Sequence, residues 1–173
     1  DGQQVMAPSA ISMKLSTGKT WGEAAKVKKA RRSEINAEIA SPFTRQATMQ
    51  DHCNVLTLEF AGNYSVEFRA YDNGICYRFA SKEKKPFEVL SEGVEYKFAG
   101  DPTCVVPYVP HFNANNAPEA QFKNSFENYY ETANLSKLDG KRYSFLPLVV
   151  NAGKGVKLCI TESHLENYPG LYL

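Results

Sequence analysis

Residues 64 to 80 read Y-S-V-E-F-R-A-Y-D-N-G-I-C-Y-R-F-A and carry the strongest structural signal of the chain. Between Tyr64 and Tyr71 the residues alternate between two faces, and one face holds the apolar side chains Tyr64, Val66, Phe68 and Ala70. Alternation with a period of two indicates a β-strand. Asp72-Asn73-Gly74 follows as a hairpin turn, because Asn and Gly tolerate positive φ, and residues 75 to 80 return as the partner strand. This hairpin predicts a β-rich fold.

Similar patterns recur along the chain. Residues 54 to 60 predict a half-buried strand with Leu56, Leu58 and Phe60 on one face. Further strands are predicted at residues 9–15, 87–90, 94–98, 121–133, 143–150 and 156–162. Ser91-Glu92-Gly93 separates two of these runs, and Pro147 marks an edge or a bulge. Roughly nine strands, with no internal repeat and no linker, predict one all-β domain over residues 1–173, built as two packed and mostly antiparallel sheets.

One segment favours a helix instead. Thr20 to Arg32 ends in W-G-E-A-A-K-V-K-K-A-R-R, where Ala, Lys and Arg are good helix formers. Its basic residues are Lys26, Lys28, Lys29, Arg31 and Arg32. The whole chain carries 20 basic and 19 acidic residues, so it offers no field of one sign to nucleic acid or to an anionic membrane. We therefore predict that the basic residues form a solvated face and that the chain binds no nucleic acid.

The composition bears on membranes, processing and redox state. No run of about 18 apolar residues exists, so no membrane span is predicted, and no signal peptide is visible. The abrupt start at Asp1 and the apolar end at Leu173 predict a domain that is cut at both ends. The four cysteines lack the C-x-x-C spacing of zinc and redox sites. Cys76 and Cys159 lie in strand-like runs and are predicted to be buried free thiols rather than disulfide partners.

The common catalytic motifs are missing from the sequence. There is no G-x-S-x-G elbow, and the three histidines suggest no triad. Gly153-Lys154-Gly155 lacks the spacing of a phosphate-binding loop and is predicted to be a hairpin turn. No H-E-x-x-H or EF-hand spacing occurs, so a complete metal cage is not expected within the chain. No residue can be assigned a catalytic role.

Glu162 is the residue that stands out. Val156, Leu158 and Ile160 share the predicted buried face of their strand, and Glu162 continues the same parity. A carboxylate on an apolar face must be paired, protonated or bound to a cation, because leaving it bare costs several kcal/mol. Alternatively the strand ends at Thr161 and releases Glu162 to solvent. Ser163-x-x-Glu166 fits a capping box and would then start a short helical turn.

Residues 101 to 120 form the longest irregular segment, rich in Pro and Asn. Long loops on a β scaffold often carry binding sites, but the composition here favours a plain surface excursion. One function hypothesis nevertheless treats the chain as a stand-alone carbohydrate-binding or adhesin-like β-sandwich. It would use aromatic side chains and the Asn-rich loop at 111 to 118.

The sequence also resembles a known family. I-T-E-S-H-L-E-N-Y-P-G-L-Y-L, preceded by F-L-P-L-V-V-N-A-G-K-G-V-K-L-C, is similar to the end of the N-terminal domain of glycoside hydrolase family 97. V-E-F-R-A-Y-D-N-G-I-C-Y-R-F at 66 to 79 and N-S-F-E-N-Y-Y at 124 to 130 extend the resemblance. It implies a β-super-sandwich like that of galactose mutarotase. It also implies packing on a catalytic (β/α)₈ barrel in a periplasmic or secreted α-glucosidase or α-galactosidase that acts on oligosaccharides.

The resemblance assigns a role to Glu162. It matches the family's N-terminal-domain glutamate that reaches the active-site Ca²⁺, a hard ion that prefers carboxylate oxygens. The family's catalytic carboxylates lie on the barrel, so none is assigned here. We expect the chain alone to hold no metal and Glu162 to be unpaired or water-bound in it. The resemblance also implies an irregular or extended segment at 23 to 32. Many family members carry a Trp in the region that corresponds to residues 103 to 110, but this sequence has none there, and Tyr108 is a weak substitute for stacking on a sugar.

Overall fold

The computed structural model describes residues 4–110 and 117–173, which are almost entirely β. The strands are β1 Ile11–Leu15, β2 Thr20–Trp21, β3 Val27–Ala40, β4 Thr48–Phe60, β5 Tyr64–Tyr71, β6 Gly74–Ser81, β7 Val89–Val94, β8 Thr103–Val106, β9 Glu131–Asn134, β10 Leu148–Gly153 and β11 Val156–Ile160. The helical elements are α1 Pro118–Gln121 and a 3₁₀ turn at Leu135–Lys137. The predicted all-β class is confirmed.

The described residues fall into two compact units. The first unit comprises residues 10–95, and the second unit comprises residues 96–173 together with the described part of residues 1–9. The first unit holds two sheets, with strand orders β2-β1-β7 and β3-β4-β5-β6, and the second unit holds one sheet, β11-β10-β8-β9. All of the strand pairings are antiparallel. The prediction of one domain over residues 1–173 stays a prediction.

The hairpin predicted over residues 64 to 80 is confirmed. β5 and β6 pair from Tyr64 opposite Ser81 to Tyr71 opposite Gly74, so only Asp72 and Asn73 lie between the strands. The positive φ predicted for Asn73 and Gly74 is wrong, because neither residue has it. Period-two alternation and cross-strand pairing therefore account for this hairpin better than turn chemistry does.

The helix predicted from Thr20 to Arg32 is wrong. β2 occupies the start of this segment and β3 begins at Val27, as the family resemblance implied. β3 pairs with β4 from Val27 opposite Phe60 to Ala40 opposite Thr48. A ladder of this length outweighs local helix preferences, which differ by less than about 1 kcal/mol per residue. The basic side chains are exposed, and Arg31 forms an ion pair with Glu59.

The break predicted at Ser91-Glu92-Gly93 is also wrong. β7 runs through these residues and pairs with β1, with Gly93 opposite Ser12. A Cβ on Gly93 would lie 2.7 Å from the Ser12 hydroxyl oxygen, so glycine here serves close strand packing rather than a loop. The strand predicted at 94 to 98 is reduced to an isolated bridge between Phe98 and Met6.

The core of the first unit is built around Trp21. Its indole ring stacks on Tyr64 at 5.1 Å between centroids and meets the edge of Phe87 at 5.4 Å. Tyr64 in turn accepts a hydrogen bond from the Gly22 backbone N–H at 3.1 Å. The alternation that buries Tyr64 thus places its ring against Trp21 of β2 and its hydroxyl against Gly22.

The second unit has a core of its own, made of buried side chains from β8, β10 and β11 and the segment after β8. Its members are Cys104, Val106, Tyr108, Leu148, Val150 and Ile160. Positive φ at Gly153, Lys154 and Gly155 closes the β10–β11 hairpin, which confirms the predicted turn. Pro147 immediately precedes β10, which is a central strand of its sheet, so Pro147 marks the start of a strand rather than the predicted edge or bulge.

All four cysteines are free thiols, as predicted for Cys76 and Cys159. Their predicted burial is wrong, because Cys76 and Cys159 are exposed whereas Cys53 and Cys104 are buried. Cys159 alternates with the buried Ile160 and so points away from the core. Among the described residues, no helix has the length and apolar character needed to cross a membrane.

Replacing Gly22 with Ala should destabilise the first unit by about 2 kcal/mol or more. Gly22 has a φ of +90°, and an added Cβ would lie 2.1 Å from the Ile11 carbonyl oxygen. Gly74→Ala is the control, since open space surrounds that position and its φ is not positive. Chemical denaturation monitored by Trp21 fluorescence compares the two variants, and equal stability of both would contradict the packing described here.

Candidate functional site

Glu162 follows β11 on the face that the strand buries. Ile160 is buried and Val156 and Leu158 are half-buried, whereas Lys157 and Cys159 are exposed. The predicted inward parity of the strand is therefore confirmed. Glu162 lies just beyond the strand end and is itself half-buried.

The carboxylate of Glu162 is tied to the last residues of the chain. Its Oε1 accepts a hydrogen bond from the Leu171 backbone N–H at 2.7 Å. The expectation of an unpaired or water-bound acid is therefore wrong for this oxygen. Oε2 makes no hydrogen bond or ion pair within residues 4–110 and 117–173, so one oxygen of the carboxylate remains available to a further ligand.

The residues after Glu162 do not form the predicted helical turn. His164 and Asn167 have φ values of 61° and 56°, in the left-handed region that a right-handed turn excludes. The segment instead loops back so that Gly170 comes beside Glu162. A Cβ on Gly170 would lie 3.2 Å from Glu162 Oε1, which is closer than an ordinary contact. The loop thus brings Leu171 to the carboxylate.

A short backbone ladder then fixes the end of the chain. Leu173 and Ser144 exchange two hydrogen bonds, at 2.6 and 3.1 Å. On the other side of the same segment, Phe145 N–H donates to the Pro107 carbonyl at 2.9 Å and Val109 N–H donates to the Tyr143 carbonyl at 2.8 Å. We call residues 107–109, 143–145 and 173 the closing ladder. It holds Leu171 in reach of Glu162.

A buried arginine supports the closing ladder from inside. The side chain of Arg142 is only 2% exposed. Its Nε and Nη2 donate to the Val109 carbonyl at 3.2 and 3.1 Å, and its Nη1 pairs with Glu131 at 2.9 Å. The guanidinium carbon lies 4.4 Å from the centre of the Tyr108 ring. Burial raises the pKa of the Tyr108 hydroxyl, which accepts a hydrogen bond from the Asp139 N–H at 2.7 Å.

Gln121 is the second buried polar side chain at the ladder. Its Nε2 donates to the Lys141 carbonyl at 3.0 Å, and its Oε1 accepts from the Tyr143 N–H at 2.6 Å. Both backbone neighbours of Arg142 are therefore held by one amide. Such pairing is what allows polar groups to be buried.

The residues named for sugar contact are placed differently from what the sequence implied. Tyr108 is 5% exposed and its ring is covered by Arg142, so it cannot stack on a sugar. In the Asn-rich loop at 111 to 118, residues 111–116 lie outside the described residues. An aromatic cluster on the segments 122–130, 143–145 and 172 was missed, because its rings follow no periodic pattern in the sequence.

The site offers a metal ion a single donor. Within the described part of the chain, no group of three or more His, Cys, Asp or Glu side chains could hold a metal ion. Glu162 supplies one available carboxylate oxygen, and such oxygens are the ligands that Ca²⁺ prefers. The residue therefore fits the role of one ligand in a site completed from elsewhere. His164 and Glu166, 3.7 Å apart, are both largely exposed and form no part of this arrangement.

Comparisons with known proteins point to one family. The glycosyl hydrolase 97 N-terminal family model matches residues 1–173. A retaining α-galactosidase of Bacteroides thetaiotaomicron is 52% identical over 173 residues, which is all of this chain and 26% of the relative.

Solved structures show the same fold. A family 97 glycoside hydrolase in complex with acarbose, from Pseudoalteromonas sp. strain K8, aligns with a TM-score of 0.78 at 20% identity over 99% of this chain and 25% of that one. A β-arabinopyranosidase aligns with a TM-score of 0.75 at 17% identity over 91% of this chain and 26% of that one. The chain thus spans about a quarter of the length of these relatives.

Replacing Arg142 with Met should destabilise the second unit by about 3 kcal/mol or more, because it leaves the buried Val109 carbonyl without its donor. Lys141→Met is the matched control, since the neighbouring Lys141 side chain is exposed and only its backbone is used. Thermal unfolding compares the variants. If R142M were as stable as K141M, the buried network would not support the ladder.

Proposed function

The chain belongs to the glycosyl hydrolase 97 N-terminal family, and we propose that it packs on the catalytic barrel of a calcium-dependent α-glycoside hydrolase and donates one calcium ligand, Glu162. Three findings support the proposal. The family model covers residues 1–173, a retaining α-galactosidase shares 52% identity over the same residues, and the fold matches family 97 enzymes.

An α-galactoside is the substrate class that we propose for the whole enzyme. The support is the curated α-galactosidase relative, which matches the full length of this chain. Glycoside hydrolysis uses a pair of carboxylates, and the family resemblance places that pair on the barrel, so we assign the chemical step to another part of the enzyme. The contribution of this chain is then to bind and orient rather than to transfer a proton or a glycosyl group.

The observation that carries the calcium assignment is the geometry of Glu162. The carboxylate is half-buried, its Oε1 is fixed by the Leu171 N–H, and its Oε2 has no partner within the described residues. A half-buried anion with one open oxygen is stabilised by a cation. Bound calcium would orient and polarise groups around the glycosidic bond. Glu162 would hold the ion in place, and Leu171 would fix the carboxylate for that role.

Two further predictions remain, the location, which rests on the resemblance, and the stand-alone function, which rests on the aromatic residues and the Asn-rich loop at 111 to 118. A periplasmic or secreted location stays a prediction. The stand-alone carbohydrate-binding sandwich also stays a prediction, and no contact among the described residues favours it over the family 97 role. Binding of the isolated chain to a glycan array would support that alternative.

Replacing Glu162 with Gln in the intact enzyme should weaken calcium binding at least about tenfold and lower activity with it, since even outer-shell partners of metal ligands contribute 10–100-fold. Gln keeps an oxygen that can accept from the Leu171 N–H but removes the charge that attracts the ion. Isothermal titration of the metal-stripped enzyme with Ca²⁺ measures the affinity.

Glu166→Gln is the matched control for this experiment, because the Glu166 carboxylate lies four residues further on and is 82% exposed. We expect E166Q to bind calcium as the parent enzyme does. Unchanged calcium affinity in E162Q would refute the ligand assignment.

The chain alone should hydrolyse neither p-nitrophenyl α-galactoside nor p-nitrophenyl α-glucoside, with or without Ca²⁺, because the proposed role leaves the reacting carboxylates on the barrel. Release of p-nitrophenol followed at 400 nm is the measurement, with the intact enzyme as the positive control. Clear turnover by the chain alone would disprove the non-catalytic role.

A further inference from the structure

The second unit displays a connected group of aromatic rings. Its members are Phe122, Phe126, Tyr130, Tyr143, Phe145 and Tyr172, which we call the aromatic patch. Neighbouring centroids are 5.1 to 6.3 Å apart. Phe122 is 52% exposed, Tyr130 is 48% exposed, and the adjacent Tyr129 is 90% exposed. Exposed apolar surface that is continuous in this way marks an interaction site.

The ring geometry indicates the kind of partner. Phe122 and Tyr143 are stacked at an interplanar angle of 18°, but the other five contacts have angles of 48° to 76°. A sugar stacks on a flat aromatic face, and rings set at steep angles to one another offer no extended plane. Tilted and edge-to-face packing is the arrangement of protein interiors and of interface cores. The patch is therefore suited to another protein surface.

The patch is continuous with the Glu162 site. Tyr172 follows Leu171, whose N–H holds the Glu162 carboxylate. Ser144, which exchanges hydrogen bonds with Leu173, lies between the patch residues Tyr143 and Phe145. Backbone hydrogen bonds thus join the neighbours of the patch residues Tyr143, Phe145 and Tyr172 to the segment that holds Glu162, so the two features lie in one connected part of the second unit.

We propose that the aromatic patch is the surface on which the catalytic domain of the same enzyme docks, so that docking and the placement of Glu162 are mechanically linked. This proposal rests on the proposed function. The α-galactosidase relative carries about three quarters of its length outside the matched region, because this chain covers only 26% of it. A protein partner within the same polypeptide is therefore implied by the relative, whereas a second copy of this chain is not.

Hydroxyl-radical footprinting of the intact enzyme tests the docking surface. The labelling rates of Phe122, Tyr129 and Tyr130 are each divided by the rate for the same residue in the unfolded enzyme. An uncovered patch would label at rates that follow the exposures of 52%, 90% and 48%. We expect rates several-fold lower for Phe122 and Tyr130, because the catalytic domain covers them. Rates that follow these exposures would overturn the proposal.

Two controls distinguish the catalytic domain from other possible occupants of the aromatic patch. Protection that disappears on dilution, in step with dissociation of an oligomer, would assign the patch to a second copy. Protection that requires added galacto-oligosaccharide would assign it to sugar. Either result overturns the proposal. Protection that persists in the monomer without sugar supports it.

A variant pair tests the link to Glu162. In the intact enzyme, the double substitution Phe122→Ser and Tyr130→Ser should lower calcium affinity several-fold by titration, whereas Ile75→Ser, at a 79% exposed apolar residue of the first unit, should not. If E162Q leaves calcium binding unchanged while the patch remains protected, the ligand assignment fails and docking stands. If the patch labels freely while E162Q loses calcium, docking through the patch fails and the ligand assignment stands.

Discussion

The burial of one charge organises the second unit. Arg142 lies inside it with a side chain that is 2% exposed, and a charge in that position must be paired and fully hydrogen-bonded. The structure meets this requirement with the Val109 carbonyl, the Glu131 carboxylate and the face of Tyr108. Because Arg142 and these partners come from three separate stretches of the chain, satisfying Arg142 brings those stretches together.

The position of Glu162 follows from that arrangement. With Val109 held by Arg142 and Tyr143 held by Gln121, the next residue, Ser144, can pair with Leu173. Leu171 then donates to Glu162, and the carboxylate is presented with one oxygen open. In the proposed role Glu162 would be a preorganised ligand, which costs less to bring to a metal than a side chain on a mobile segment would.

Sequence patterns predicted what depends on local alternation. The β5–β6 hairpin and the inward face of β11 were predicted correctly, because alternating burial is visible as alternating apolar and polar residues within one short stretch of sequence. β3 was missed, since its state is set by pairing with β4 and not by the helix preference of its Ala, Lys and Arg residues. The Leu171 hydrogen bond and the aromatic patch were also missed, because a returning loop creates the first and three separate segments create the second. The role proposed for Glu162 comes from the family resemblance, because strand parity alone names no partner for the carboxylate.

The most direct test of this account is the position of the metal in a crystal structure of the intact enzyme, located by the anomalous signal of Ca²⁺ or of a lanthanide substitute. The account predicts that an oxygen of Glu162 lies about 2.3–2.6 Å from Ca²⁺, with the remaining ligands supplied by the catalytic domain. An ion that is bound at the active site with Glu162 outside its coordination sphere would contradict it.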